Sequence, residues 1–474
     1  MAVPKPSARA AALDAILAAE HGGGFLRETL HAAFARTALE PRDRALATQL
    51  ATGAVRHRRT LRLVLTHLRA KGTRTAEIQS PLREILELGA FQILFLDRVP
   101  AYAAINEAVE AARAGGGKVR EKAAGFVNGM LRGVQRLVVG RDPEGTPARQ
   151  AIPHPEGGVI RLKEPVLPDP ANRADFLGAA YSFPDWLLVR WLMHFGDAAA
   201  EAICRGSNRR PHVIARVNAA KWQAEALLAK LRADALEAAP GPRPGTLDLT
   251  HLDPAHLEAL AAAGDLTVQD PSAMAAVEAL APRAGESVLD LCASPGTKTT
   301  QIVEAMLFPV GAAPCGRPAV DSLRLVACDR TDEKLVPLRQ ALASRGTAGA
   351  TVCLSADAGK NAPPGGYDAV LVDAPCSNTG VLARRVDARW RLRPEDLDEL
   401  ARIQSSLLGE AARLVRPGGR LVYSTCSLDP GENDGQVRRF LEGDGRADWS
   451  LDRRDLLFPA PDHDGAFWAL LRRS

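Results

Sequence analysis

Two cysteines fifty residues apart sit in matching surroundings. Cys376 lies in AVLVDAPCSNTG (369–380) and Cys426 in LVYSTCSLDPGEND (421–434). Each closes a short apolar run of the kind that forms a buried strand, and each is followed by a serine. A thiol on a loop beyond a strand end can serve as a nucleophile once deprotonated. The chain has seven cysteines, none in a CxxC pair or near histidines at ligand spacing, so no metal site is expected. Asp373, three residues before Cys376, adds a carboxylate to the same loop.

A third loop supplies a place for a cofactor. VLDLCASPGTKTTQ reads as a strand, a tight turn of small residues and a helix start. Ala293, Ser294 and Gly296 let a ligand approach the backbone closely. The helix behind them offers free N–H groups and the positive end of its dipole. The loop is neither GxGxxG nor GxxxxGK[ST], which disfavours a dinucleotide, ATP and an oxidoreductase. The next strand ends in Asp329, placed to hold the two hydroxyls of a ribose, and the third in Asp357, placed for an adenine edge. Loop, ribose acid and base acid suit an adenosine cofactor without phosphates, and S-adenosylmethionine fits. The alternative for either aspartate is that it caps the following helix.

With a methyl donor in place, the cysteines gain a use. C5 of cytosine is too weak a nucleophile to take a methyl group from a sulfonium. A thiolate adding at C6 pushes electron density to C5 and creates a covalent adduct. The C5 proton must then leave and the thiol must be expelled. One cysteine is therefore required, and a second group helps to end the reaction. Asp373, at the N3/N4 edge, would help accept charge and could also contact the cofactor.

The elements around these loops divide the chain. Residues 1–139 read as amphipathic helices joined by short Gly/Pro links, an all-α bundle. Residues 140–172 are rich in Pro, Gly and charge and read as a linker or surface excursion. Residues 173–269 mix helices with the alternating strand PHVIARVN and read as a small α+β subdomain. From 270 to 474 strands alternate with helices, which predicts an α/β parallel sheet wound on both faces, of Rossmann-like class. Ligands of such sheets sit beyond the C-terminal strand ends.

Charge is unevenly placed. Residues 1–150 hold 23 Lys+Arg against 14 Asp+Glu, a net +9, whereas the remainder holds 37 against 42, a net −5. The stretch from Arg44 to Arg74 contains no acid, and its Arg56, Arg58, Arg59 and Arg62 are candidates to meet a polyanion. The alternative is a solvated helix face. Arg384 and Arg385, near Trp390, are further candidates. No apolar run reaches the roughly 18–20 residues of a membrane span, and the N-terminus lacks an apolar signal core. A cytoplasmic protein with reduced cysteines is expected, and nothing demands more than a monomer.

VLDLCASPGTKTT, VLVDAPCSNTG and LVYSTCSLDPGEN resemble the signature motifs of the RsmB/NOP family of RNA 5-methylcytosine methyltransferases. ALDAIL, YAAINEAVEAA and AAGFVNGMLR resemble the NusB-like RNA-binding bundle that precedes the catalytic domain in part of that family. YSFPDWLLVRW and NRRPHVIARVN resemble its linker subdomain. The resemblance spans nearly the whole chain outside 140–172. It implies a class I methyltransferase domain with Cys426 as the nucleophile at C6 and Cys376 assisting product release. It implies S-adenosylmethionine held by Cys292, Ala293, Ser294, Pro295, Gly296, Thr297 and Lys298 with Asp329, Asp357 and Asp373. The implied substrate is a cytosine of small-subunit ribosomal RNA, unstacked to reach the pocket.

Three departures bear on this. The family's APGGKT is SPGTKT here, so Thr297 stands at a glycine position. If that position needs positive φ, a β-branched residue costs about 1–2 kcal/mol and cofactor binding weakens. SGTG appears as SNTG, and Asn378 tolerates left-handed backbone. PEEN appears as PGEN, which keeps Glu432 and Asn433. The segment 307–322 is longer than expected between the first two strands. Other readings are a methyltransferase acting on another RNA such as tRNA, and a non-catalytic RNA-binding assembly factor. A DNA cytosine methyltransferase would use the cysteine of the PC motif and would not need Cys426.

Overall fold

A computed structural model describes residues 7–70, 78–114, 118–308, 323–347, 351–355, 366–443 and 447–474. They group into two units, 1–210 with 385–391 and 211–384 with 392–474.

The first unit begins with helices α1 (Ala8–Gly22), α2 (Leu26–Arg36), α3 (Pro41–Arg56), α4 (Arg58–Ala70), α5 (Leu82–Phe95), α6 (Ala101–Arg113) and α7 (Lys118–Leu137). Their apolar spacing dictates packing: α4 buries Thr60, Leu61, Val64 and Leu65 on one face. α1 starts where the Ser7 hydroxyl accepts from Ala10 N–H at 3.1 Å and ends at Gly23, φ 72°. The Pro/Gly-rich stretch is more ordered than a linker. It forms an antiparallel sheet, order β1-β3-β2, from β1 (Val138–Asp142), β2 (Ala151–Pro153) and β3 (Val159–Leu162). Ile152, Val159 and Ile160 are buried there, a core too short to register as a periodic pattern. Helices α8 (Arg173–Tyr181) and α9 (Asp185–Asn208) follow and pack on each other. Trp191 is buried edge-on to Phe183, so it is core.

The second unit opens with an antiparallel sheet, order β5-β6-β4-β7, from β4 (Ile214–Val217), β5 (Ala239–Pro240), β6 (Thr246–Asp248) and β7 (Leu266–Val268). Helices α10 (Ala224–Ala233) and α11 (Pro254–Ala262) accompany it. Helix α12 (Pro271–Leu280), capped by Asp270, leads into the large sheet. Its elements are β8 (Ser287–Leu291), α13 (Thr297–Leu307), β9 (Arg324–Asp329), α14 (Asp332–Ser344), β10 (Thr351–Ser355) and β11 (Tyr367–Asp373). A short helix α15 (Ala388–Arg391) lies in the 385–391 segment of the first unit. Then come α16 (Pro394–Leu414), β12 (Val415–Thr425), α17 (Asp434–Glu442), β13 (Trp449–Leu457) and β14 (Ala466–Arg473).

Strand order is β10-β9-β8-β11-β12-β14-β13. The strands up to β12 are parallel, as the pattern predicts, but β14 and β13 run antiparallel. The sheet is therefore mixed, not purely parallel. The last two strands lie at one edge and form a hairpin, which needs no crossover helix, so βα alternation cannot reveal them. Alternating residues of the central strands feed two apolar layers. Leu289, Leu291, Val370 and Val372 pack with Leu407, Leu408 and Ala411 of α16. Val288, Ala369 and Leu371 pack with Ile302, Val303 and Leu338 from α13 and α14. Burial on both faces explains why these strands read as continuous apolar runs.

Candidate active site

The central strands β8 and β11 are neighbours, and β8 also pairs with β9, so the chain order reverses here. A crevice opens beyond strand ends at such a point. The cofactor loop leaves β8 through Cys292, whose φ is 62°, and Gly296, whose φ is 108°. The loop is stitched to its neighbour: Ala293 N–H donates to Cys328 O at 2.8 Å and Ser294 N–H to Asp329 Oδ2 at 3.0 Å. A Cβ at Gly296 would lie 2.6 Å from the Leu338 side chain, so glycine is needed there on two counts. Thr297 is the first residue of α13 and Gly296 is its N-cap. The positive φ falls on the glycine, so the strain expected for threonine does not arise.

Asp329 is buried at the end of β9. It does not cap α14, whose N-cap is Thr331. Besides Ser294, it accepts from Arg330 N–H at 2.7 Å and pairs with Lys334 at 3.2 Å. Asp357 lies outside the described residues, as does most of 307–322.

Asp373 ends β11, with Lys298 Nζ at 2.6 Å from Oδ2 and the Ser424 hydroxyl donating to Oδ1 at 2.8 Å. Burial works against the Lys298 charge, but attraction to Asp373 and their hydrogen bond outweigh it and raise the ammonium's pKa. Asp290, inside β8, is a residue that the sequence reading missed. Burial pushes its carboxyl up to about 7, although the Thr299 hydroxyl donates to Oδ2 at 2.6 Å. Its Oδ1 is buried with no hydrogen-bond partner among the described residues. The signal was available, since an aspartate interrupts the apolar run VLDL. A ligand carrying hydroxyl and ammonium donors suits two acidic groups with acceptor capacity beside an open backbone turn. S-adenosylmethionine carries both.

The two cysteine loops meet. Cys376 Sγ lies 3.1 Å from Cys426 Sγ, and the Cys426 thiol also donates to Asn378 Oδ1 at 3.3 Å. Asn378 has φ 61°, the left-handed geometry that asparagine tolerates. The thiols differ in setting: Cys376 is buried and Cys426 half-buried. The hydrogen bond to Cys426, and burial after it, push the Cys376 thiol well above its ordinary pKa. It stays protonated near neutral pH. Cys292 is likewise raised, by burial first, and behaves as a packed residue.

The arginines singled out for a polyanion fare differently. Arg56 is half-buried, and desolvation of its guanidinium lowers its pKa to about 10. Arg58 pairs with Glu20, and Arg62 with Glu87 at 2.6 Å while its side chain stays 41% exposed. Arg59 pairs with Asp175 at 2.8 Å and Asp185 at 2.5 Å and donates to Phe183 O. In the second unit Arg384 pairs with Asp464 at 2.5 Å and Asp270 at 2.9 Å. Of the six, Arg385 is the one whose residue is exposed with no such commitment recorded among the described residues. The acid-free run is balanced by acids distant in sequence, which composition along the chain cannot reveal. Trp390 donates its indole N–H to Val55 O at 2.8 Å within the first unit.

Among the described residues no cluster of three His, Cys, Asp or Glu side chains could hold a metal, and no helix is long and apolar enough to cross a membrane.

Residues 277–459 match the family described as 16S rRNA methyltransferase RsmB/F, residues 6–136 match the NusB family, and residues 183–251 match an RsmF/B-like ferredoxin-like domain. The chain is similar to the probable ribosomal RNA small subunit methyltransferase B of Bacillus subtilis, with 32% identity over 95% of this chain and 92% of that protein. The protein of the same description from Synechocystis is 35% identical over 87% of this chain and 83% of its own length. In fold, it is similar to the solved structure of PH0851, with a TM-score of 0.72, 24% identity and coverage of 100% of both chains.

Proposed function

The chain belongs to the RsmB family of S-adenosylmethionine-dependent methyltransferases, and we propose that it forms 5-methylcytosine in small-subunit (16S) ribosomal RNA. The observation that carries the reading is the pair of thiols 3.1 Å apart beside the Asp373–Lys298 ion pair. The relatives from Bacillus subtilis and Synechocystis are described as small-subunit ribosomal RNA methyltransferases.

S-adenosylmethionine, held by the 292–298 loop with Asp329, Asp357 and Asp373, supplies an electrophilic methyl group. Cys426, the more open thiol, adds through Sγ to C6 of the cytosine, and C5 becomes the nucleophile. Asp373 hydrogen-bonds the N3/N4 edge and is kept oriented by Lys298 and Ser424. Once C5 is methylated, its proton passes to water, the C5–H pair re-forms the C5=C6 double bond, and the C6–Sγ bond breaks with its pair leaving on the Cys426 sulfur. Cys376, kept as a thiol, supplies hydrogen-bonding and proton-transfer capacity next to the departing Cys426 sulfur. The protein works in the cytoplasm as a monomer, and the helical unit contributes to RNA binding. Basic side chains exposed there include Arg42, Lys122 and Arg136.

The test is methyl transfer from radiolabelled S-adenosylmethionine to small-subunit ribosomal RNA, followed by nucleoside analysis. Label in 5-methylcytidine is expected. Label in another nucleoside, or transfer to tRNA alone, overturns the assignment.

A further inference from the structure

The sheet ladder stops short of both cysteines. β11 and β12 pair up to Asp373 and Ser424, and Ala374 N–H donates to Ser424 O at 2.9 Å. Beyond that point one backbone bond, Gly380 N–H to Cys426 O at 2.9 Å, and the Ser377–Ser427 hydroxyl contact at 3.0 Å join the two chains, and their sulfurs lie 3.1 Å apart. Glu432, buried at 1% exposure, is the charged group that ties both loops together at the serines. Its Oε1 accepts from Ser377 N–H at 2.9 Å and Gln404 Nε2 at 2.8 Å. Its Oε2 accepts from the hydroxyls of Ser377 and Ser427 together. These are the serines that follow Cys376 and Cys426.

The carboxylate is fixed from behind. The Tyr423 hydroxyl donates to Glu432 O at 2.7 Å. Asn433 next to it accepts from the Thr425 hydroxyl at 2.6 Å and donates to Ser427 O at 2.9 Å. Thr379 completes the hydroxyl cluster, 3.2 Å from Ser377 Oγ and 3.1 Å from Ser427 Oγ, and accepts from Leu428 N–H. All of these groups are buried, so a lost partner would not be replaced by bulk water. Bonds to a carboxylate are the stronger, charge-assisted kind. No hydrogen bond joins Glu432 to either sulfur among the described residues.

We propose that Glu432 is a positioning residue for the methyl-transfer site, setting the distance between the two thiols through the serine that follows each. The inference rests on the proposed use of both cysteines, but its first test needs neither RNA nor cofactor. Treatment of the full chain with diamide closes a Cys376–Cys426 disulfide: each thiol gives up one electron and one proton, and the diazene takes them up as a hydrazine. Peptide mapping of that disulfide reads the rate, and alkylation of Cys426 by iodoacetamide reads its exposure independently. Glu432→Ala is expected to slow closure at least about tenfold, and in methyl transfer to lower kcat about 100-fold with the KM for RNA within about twofold. Glu432→Gln, which keeps the shape and several bonds, is expected to recover most of both. If Glu432→Ala does not fold, the double variant Ser377→Ala/Ser427→Ala decides, with the same slowing at an unchanged iodoacetamide rate. Wild-type closure in a folded Glu432→Ala or double-serine variant overturns the proposal. A wild-type protein with fast closure but no 5-methylcytidine product would overturn the proposed function and leave the clamp standing.

Discussion

Both units bury charge, but the two sets of buried groups end differently. In the helical unit the charges form ion pairs with one another, although Glu84 Oε2 is buried without a hydrogen-bond partner among the described residues. Arg58 meets Glu20, Arg62 meets Glu87, and Arg83 meets Glu20 and Glu84. Arg389 is wholly buried, donates to Ser182 O, Ser207 O and Asn208 Oδ1, and lies 4.2 Å over the Phe183 ring. In the methyltransferase unit some groups stay incomplete. Asp290 Oδ1 has no partner among the described residues, and Cys426 is half-open. Paired opposite charges hold a fold, whereas Asp290, outside any ion pair among the described residues, and the half-open Cys426 can meet a ligand.

The largest expected effects probe the closed set. Arg389→Ala removes donors from three buried acceptors and is expected to cost the helical unit on the order of 3–4 kcal/mol, read as a lower thermal midpoint. A loss under about 1 kcal/mol would mean that this guanidinium is not structural. In the second unit, Arg216 of β4 pairs with Glu304 of α13 and donates to Thr300 Oγ1 at 3.0 Å, tying the small sheet to the cofactor helix. Burial lowers Arg216 to about 9. Glu304→Ala strands that charge and is expected to cost about 3 kcal/mol. Cofactor affinity, read by calorimetry, should fall as well.

A pH series probes the incomplete set. The Asp290 carboxyl is raised from 3.8 to about 7 in the folded protein, so folding favours its protonated form. Its contribution is fully present below pH 4 and is lost as pH rises toward 7. Other carboxylates, Asp248 and Glu286 among them, are lowered and pull the opposite way. The readable quantity is therefore the difference between wild type and Asp290→Asn. Relative to the variant, wild type should lose a few kcal/mol between pH 4 and 7. Parallel curves would rule out this assignment.

The smallest effects test the arginines themselves. Arg62→Ala is expected to leave RNA affinity within about twofold, because its guanidinium is committed to the buried Glu87. Arg385→Ala should weaken RNA binding severalfold at low salt and reduce the salt slope by about 0.7–0.9. Equal losses of RNA affinity in the two variants would erase the contrast.

Much of the site is legible in the sequence because its residues sit at fixed offsets from strand ends. Asp329, Asp373, Cys376 and Cys426 each follow an apolar run, and parallel pairing then gathers them without further information. The serines after the cysteines are visible, but their partner is not, since Glu432 reaches Ser377 across 55 positions. The arginines fail for the same reason, because Arg59 meets acids more than 100 residues away. Thr297 shows the limit of position-by-position comparison: a glycine in a motif need not be the glycine that the backbone requires. The hairpin β13–β14 and the small sheet of 138–162 escape because antiparallel strands need no helix between them, and because β1 and β13 are largely exposed, with Arg453, Arg454 and Asp455 breaking the pattern of β13.

The central claim is that the two thiols have unequal roles, and one measurement addresses it directly. Purified Cys376→Ala and Cys426→Ala proteins are run on a denaturing gel, with and without nuclease, to look for RNA carried covalently. The account predicts a nuclease-sensitive adduct on Cys376→Ala and none on Cys426→Ala. An adduct on Cys426→Ala and none on Cys376→Ala would reverse the roles and contradict it.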